Sequence, residues 1–391
     1  MKKKLKDVCT QVRGVSYKPS DLRDKNSGVP ILRANNIQDT GIVLDELVYV
    51  DSSKVHSEQY LLTDDIVICA SSGSKNLVGK AATFKSDLSA SFGAFCKVVR
   101  INNSDDLCKA YIQQYFQSKI YRNAISESSA GANINNIKTE DIEALEIPLP
   151  SKEEQIKIAA ELDTIQSAID NKKQQLALLD EAVKSEFVEM FGENPVESGK
   201  WKVEKLGDCG TFKNGMNYSP SENGVDILCL NVSDFKDNYK IQDCKTLSSI
   251  SLNEEPSSEY YLQNDDIVFV RSNGNKKLVG RCVALYPNDC KVLFSGFCIR
   301  FRKSTDNLNT DFLLHFLKTD LTREQLKGKG ANIQNLNQQI LANLHLPVPP
   351  LDLQNQFAAF VQQIDKSKFV VKQQITDLQE LLDSKMQEYF S

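Results

Sequence analysis

The sequence predicts an α+β protein, two similar mixed α/β domains separated by two long helices, because one folding unit is written in it twice. Three observations carry that reading. Asp64 begins DDIVICASSGSKNLVGK and Asp265 begins DDIVFVRSNGNKKLVGR, two versions of one text 201 residues apart. GANINNI from Gly131 and GANIQNL from Gly330 match at an offset of 199, and the match runs on to Phe191 and Phe390. After each GAN segment comes a proline-marked boundary, IPLP at 147–150 and LPVPP at 346–350, beyond which apolar residues take up helical spacing. Two copies of so large a unit do not stack as a solenoid; they make a molecule with a pseudo-twofold axis.

The expected order is a first domain at 1–150, a long helix at 151–191, a linker at 192–200, a second domain at 201–349 and a second long helix at 350–391. Within the domains, apolar runs such as IVLDELVYV, DDIVICA and FCKVVRI lie between Gly, Asn, Ser and Asp, which reads as strands joined by turns. One amphipathic helix follows in each domain, around 109–121 and 311–326. Ser151 with Glu154 forms an S-x-x-E capping box for the first long helix, and Asp352 is placed to cap the second. The first helix then carries Ile158, Leu162, Ile165, Ile169, Leu176, Leu179 and Val183 at 4-3 spacing, interrupted at Lys172 and Glu186. The second carries Val361, Ile364, Val371, Ile375, Leu378 and Leu382, interrupted at Lys368 and Lys385. Those are two coiled-coil seams, and two seams in one chain can pair with each other. Phe187, Phe191, Phe360 and Phe369 add apolar surface that such a pair does not fully cover. About 40 residues without Gly or Pro give a helix about 60 Å long. FGENPVESGK at 191–200 has the Gly, Pro and Asn of a linker.

Composition narrows the function classes. With 41% hydrophobic and 25% charged residues over 391 positions, this is an ordinary globular chain. No run approaches the roughly 18 apolar residues of a membrane span, and MKKKLKDV lacks the apolar core of a signal peptide, so a cytoplasmic protein is expected. Ten cysteines without CxxC pairs fit a reducing compartment, where the thiol is a small buried hydrophobe. The net charge of −5 lies on the two helices, while 271–281 holds four bases and no acid and 1–25 holds eight bases against three acids. Such patches can face phosphate.

No catalytic constellation emerges. GSKNLVGKA at 73–81 imitates a phosphate loop but has five residues between its glycines and Ala81 where a magnesium-binding hydroxyl belongs. His56, His315 and His345 are isolated and none recurs in the other copy, and neither an adenine-methyltransferase motif nor a G-x-G-x-x-G fingerprint occurs. The chain is expected to be no enzyme and to hold no metal or cofactor. What does recur is a polar loop after a strand: Ser71, Ser72, Gly73, Ser74, Lys75, Asn76 and Lys80 in one copy, Arg271, Ser272, Asn273, Gly274, Asn275, Lys276, Lys277 and Arg281 in the other. Glycine admits a ligand close to the backbone, hydroxyls and amides bond phosphates or base edges, and Arg can grip guanine with two bonds. Asn133 and Asn135, with Asn332 and Gln334, add amides of the kind that read adenine. Structural hairpin turns would also produce such loops, and a duplicated fold duplicates its turns.

Domain, IPLP-SKEEQ-helix, EMFGENP linker, domain and LPVPPLDLQNQ-helix, with DDIVxxxSxG…VG in each domain, together resemble the specificity subunit of type I restriction-modification systems over essentially the whole chain. The resemblance implies two target recognition domains, each reading half of a split DNA sequence, held apart by antiparallel helices that dock two methyltransferase subunits. It places residues 71–80, 131–135, 271–281 and 330–334 near double-stranded DNA. It implies that the partners use S-adenosylmethionine, and that two restriction/translocase subunits using ATP and Mg join in the restriction form. The loops differ, SSGSKN against SNGNKK, so the half-sites should differ and the target should be asymmetric and bipartite. One departure stands out: Gln354 and Gln356 replace the Glu154-Gln155 pair, leaving the second helix start less typical. Two rivals remain, a non-enzymatic coiled-coil adaptor for protein partners and an enzyme of unrecognised chemistry.

Overall fold

A computed structural model describes residues 1–38, 41–74, 76–128, 136–235, 238–327 and 336–391. The chain forms two compact units, Met1–Gln175 with Val371–Ser391, and Leu176–Val370. Each unit therefore holds one globular domain and a half of each long helix.

In the first unit an antiparallel four-stranded sheet has the order Cys9–Arg13, Cys96–Ile101, Ile66–Cys69, Ala81–Thr83. The strand Ile66–Cys69 reads as a continuous apolar run because both its faces are covered. Ile66 and Ile68 meet Tyr111, Tyr115, Phe116 and the long helix, whereas Val67 and Cys69 meet Phe84, Phe92 and Val98. The second unit repeats this plan, Gly210–Asn214, Cys298–Lys303, Asp266–Val270, Cys282–Leu285, with Lys240–Ile241 added at the edge. A three-stranded mixed sheet accompanies each, Val48–Val50, Val29–Leu32, Ser91–Phe92 in one and Ser249–Leu252, Val225–Leu230, Val292–Phe294 in the other. The proline-marked boundaries are themselves strands: Glu146–Pro148 pairs with Lys2–Lys4, and His345–Val348 with Lys202–Lys205.

The amphipathic helix expected in each domain is two helices, Lys109–Gln117 and Lys119–Ser128, then Thr310–Leu317 and Asp320–Lys327. A hydroxyl makes each break. Ser118 Oγ donates to Tyr115 O and accepts from Tyr121 N, so it closes one helix and caps the next; Thr319 Oγ1 does the same between Phe316 O and Thr322 N.

The long helices run Lys152–Phe191 and Leu351–Phe390. Ser151 Oγ accepts from Glu154 N, one half of the expected capping box. Asp352 is the second residue of its helix rather than its cap, an acid in the first turn where the helix dipole favours it. The suspected departure at Gln354 dissolves, since Gln354 occupies the place of Gln155 and both are buried and do one job. Gln155 Oε1 accepts from Cys108 N and its Nε2 donates to Asp106 O and Pro150 O; Gln354 Oε1 accepts from Asn309 N and its Nε2 donates to Asn307 O and Pro349 O. Gly192, at φ +97°, ends the first helix in the left-handed conformation of a C-terminal cap.

Within each unit the helix halves pair antiparallel. In the first, Ile158, Leu162, Ile165 and Ile169 share a core with Leu382, Met386 and Phe390, and half-buried Ile375 and Leu378 pack against it. In the second, Val183, Phe187 and Phe191 share one with Phe357, Val361 and half-buried Ile364. Val371 is buried, while Leu176 and Leu179 are half-buried. The breaks are met by charges: Lys368 pairs with Asp180, and Lys385 with Glu161, which also accepts from Tyr389. Lys172 bonds Gln175 on its own helix. Phe187 and Phe191 are not surplus apolar surface, for they stack among Phe312 and Phe357, whereas Phe369 is 72% exposed.

Candidate nucleic-acid interface

The paired aspartates that open each repeat build the loop that follows rather than reach out of it. Asp64 and Asp265 sit at φ +75° and +69°, the left-handed region that Asp tolerates better than most residues. The next aspartate in each is buried and takes two bonds from an arginine on the neighbouring strand of the sheet: Asp65 from Arg100 at 2.9 and 2.7 Å, Asp266 from Arg302 at 2.7 and 2.7 Å. Each arginine also donates to a backbone carbonyl, of Tyr60 or Tyr261. Both lone-pair faces of a buried carboxylate are thereby satisfied.

The loops leave these strands in matched frames. Gly79 and Gly280, at φ +82° and +84°, donate back to Cys69 O and Val270 O and close each loop at its base. A side chain at Gly79 would meet Ile125 at 2.8 Å. From outside, Arg122 donates to Val78 O and Asn76 O, and Arg323 to Lys277 O. The strand Ala81–Thr83 follows the first loop and Cys282–Leu285 the second. A phosphate loop would instead open a helix.

Inside the loops some polar atoms are committed to the turn. Ser72 Oγ accepts from Ser74 N, Asn273 Oδ1 from Asn275 N and Asn275 Oδ1 from Lys277 N, as the hairpin reading requires. Among the described residues nothing else engages the Asn273 and Asn275 amide nitrogens, which leaves two donors per amide for a ligand. Gly73, Ser74, Asn76, Gly274, Asn275, Lys276 and Lys277 are exposed, and Ser71, Ser72, Lys80, Arg271, Ser272, Asn273 and Arg281 half-buried. Arg271 donates through Nη1 to Gly296 O at 3.5 Å, a long bond that a better acceptor can displace.

Lys75, Asn133, Asn135, Asn332 and Gln334 lie outside the described residues, but the chain just beyond each GAN segment is joined to the loop. Ile137 N donates to Ala70 O and Asn136 bridges Ser71; Leu336 N donates to Arg271 O. Two segments about 65 residues apart in sequence thus meet at one edge, in both copies.

The structure adds residues that sequence reasoning passed over. In the first domain Tyr17, Arg33, Asn35, Ser71, Gly73 and Phe95 line a cleft of about 700 Å³. Arg33 heads a short turn, its N–H bonded to Asn36 Oδ1, and the same turn in the second domain begins with Asn231 bonded to Asp234. The signal was available as a differing residue within a matched frame, ILRANN against LCLNVSD.

Among the described residues no cluster could hold a metal ion, and no helix is long and apolar enough to cross a membrane. Burial pushes the thiols of Cys9, Cys96, Cys209 and Cys298 up to about 12, far from nucleophilic thiolates. His315 is half-buried against the Tyr239 ring, His56 heads an exposed turn, and the backbone of His345 is bonded by Gln325.

The model of the type I restriction modification DNA specificity domain matches residues 1–181 and again 198–380. The chain belongs to that family. It is 32% identical to the type I restriction enzyme StySPI specificity subunit of Salmonella potsdam, covering 95% of this chain and 83% of that one. It is 29% identical to the EcoKI specificity subunit of Escherichia coli strain K12, with the same coverage. Among solved structures, a type I restriction-modification S subunit from M. genitalium aligns with a TM-score of 0.52 at 15% identity, covering 100% of this chain and 96% of that one. A chain from a study of type I R-M complex assembly aligns with a TM-score of 0.57 at 17% identity, covering 100% and 97%. The duplicated α+β fold is therefore that of a type I specificity subunit, and the chain is the non-catalytic member of such an enzyme. That supports the specificity-subunit reading over both the protein adaptor and the unrecognised enzyme.

Proposed function

We propose that this subunit reads an asymmetric, bipartite duplex sequence, one half-site per domain, and presents it to two methyltransferase subunits that methylate one adenine on each strand. S-adenosylmethionine is then the partners' cofactor, and two restriction/translocase subunits using ATP and Mg join in the restriction form. A flipped adenine would lie in the methyltransferase, so this chain needs only to bind and orient. The observation that carries the reading is a pair of loops with the same supports and different tips. Asp65 and Asp266, Gly79 and Gly280, Arg122 and Arg323 support both loops from equivalent places, while Ala70 stands opposite Arg271, Ser72 opposite Asn273 and Asn76 opposite Lys277. One scaffold bearing two side-chain sets suits two half-sites.

The test is methylome sequencing of cells with and without this gene, then with Arg271→Ala. Loss of one bipartite motif with the gene is expected, and Arg271→Ala should relax a position in the second half-site alone, by about 1–3 kcal/mol. Alanine already occupies the matching place at Ala70, so the fold accepts the change. Lys276→Ala should instead weaken binding evenly and lower the salt slope by about one unit. An unchanged methylome without the gene would refute the reading.

A further inference from the structure

Each domain exposes one large aromatic ring at the rim of the loop, at the same position in both copies. Phe95 is 69% exposed and Phe297 63%, in FGAFC and FSGFC. Scattered exposed apolar residues are ordinary. These two differ from that background because their backbone is fixed on both sides. Phe95 O accepts from Ala70 N and Ser71 N, Phe297 O from Arg271 N and Ser272 N, so the residue is tied to the recognition loop. The cysteine that follows each is buried and bonds back across the turn, Cys96 N to Gly93 O and Cys298 N to Ser295 O. The ring is held outward by a turn that cannot rotate it into the core.

The duplication says what such a ring can meet. Side chains that read base edges must differ between unlike half-sites, as half-buried Ser72 and Asn273 do. A ring that does not differ meets what the half-sites share, which in duplex DNA is the stacked faces of the bases and their sugars. Its neighbours include Arg33, Asn35 and Ser71 beside the apolar Val15 and Ala34 in one domain, and Arg271 and Ser272 in the other, so the ring stands next to the hydrogen-bonding and basic groups that a nucleic-acid surface carries. Resting on the proposed reading of DNA, we infer that Phe95 and Phe297 are wedges, each inserting its ring at a base step of its own half-site and unstacking that step. The wedge adds affinity without sequence, and lowers the work of deforming the duplex for the partner that flips a base.

The test uses the chain assembled with its methyltransferase subunits and a duplex carrying the motif mapped by methylome sequencing, with 2-aminopurine placed in turn through both half-sites. Binding should raise the fluorescence at one step in each half-site. Phe95→Ala should abolish the rise in the first half-site only and Phe297→Ala in the second only, each weakening binding about tenfold with the motif unchanged. Phe95→Trp and Phe297→Trp, which keep an aromatic wedge, should retain the signal. Specific binding with no fluorescence change at any step, wild-type affinity in both alanine variants, or release of the methyltransferase by them overturns the wedge alone. Failure of the assembled protein to retain its motif over unrelated duplex overturns the reading of DNA beneath it, and the wedge with it.

Discussion

Replacing Gln354 with leucine should loosen the second unit by several kcal/mol although the residue lies at no functional surface. The amide is fully buried and closes three bonds, from Asn309 N at 2.9 Å and to Asn307 O at 3.0 Å and Pro349 O at 2.8 Å. Leucine fills a similar volume but leaves one N–H and two carbonyls without partners, at about 1–3 kcal/mol for each group that water cannot reach. Burying the extra apolar surface returns about 1–2 kcal/mol. The net is a loss of about 1–8 kcal/mol, enlarged if Asn309, whose side chain caps Thr310–Leu317, moves with its backbone. Trp201 is the only tryptophan, belongs to this unit and donates to Phe191 O, so its emission in a urea titration reports the transition. Gln354→Glu supplies a control with a sign. It keeps the acceptor for Asn309 but sets a carboxylate against two carbonyls, which raises its folded-state pKa above the unfolded value. Its cost should therefore grow as pH rises through the ordinary glutamate range and shrink on acidification. A Gln354→Leu unfolding free energy within about 0.5 kcal/mol of the parent's would refute the anchoring argument.

Two further outcomes are expected. Burial, with Lys318, Lys240 and Lys368 nearby, pushes His315 from its usual 6.5 down to about 3. The unfolded chain thus takes up a proton near pH 6.5 that the folded chain refuses, and stability in the second unit should fall by about 1.4 kcal/mol per pH unit below that point. His315→Gln should remove that part of the slope; parallel pH profiles would refute it. A fragment of residues 1–194 lacks Val371–Ser391, which supplies Leu382, Met386 and Phe390 to the first core. Val183, Phe187 and Phe191 are their counterparts 199 residues earlier, so a second copy can supply them; sedimentation should find a dimer, and a stable monomer would contradict the repeat.

The duplication, the helices and the polar loops were legible because each leaves a local signature: identity at a fixed offset, 4-3 spacing, Gly-rich polar runs. What stayed hidden depends on long-range partners. DDIVICA read as a strand, but nothing local showed that Asp65 and Asp266 face inward, because Arg100 and Arg302 arrive from a strand 35 and 36 residues on. Gln354 was misaligned because its neighbours differ from those of Gln155, and only the carbonyls it bonds reveal the equivalence. Phe187 and Phe191 looked surplus because their partner Phe312 lies in a different domain of the sequence.

A chain that contains its fold twice carries its own control. Where both copies keep a residue and bury it, as at Asp65 and Asp266 or Gln155 and Gln354, the residue serves the fold and its loss should be felt as stability. Where the copies differ at an exposed or half-buried place on the same support, as at Ser72 and Asn273 or Arg33 and Asn231, the difference is free to encode the half-site. Phe95 and Phe297 fit neither class, being shared but left in the open. On the proposed reading of DNA, this retained apolar ring that the fold does not bury meets a partner outside the chain. Because both copies keep it, that partner must offer the same surface to each, and of all that two unlike half-sites present, the stacked duplex itself is what they have in common.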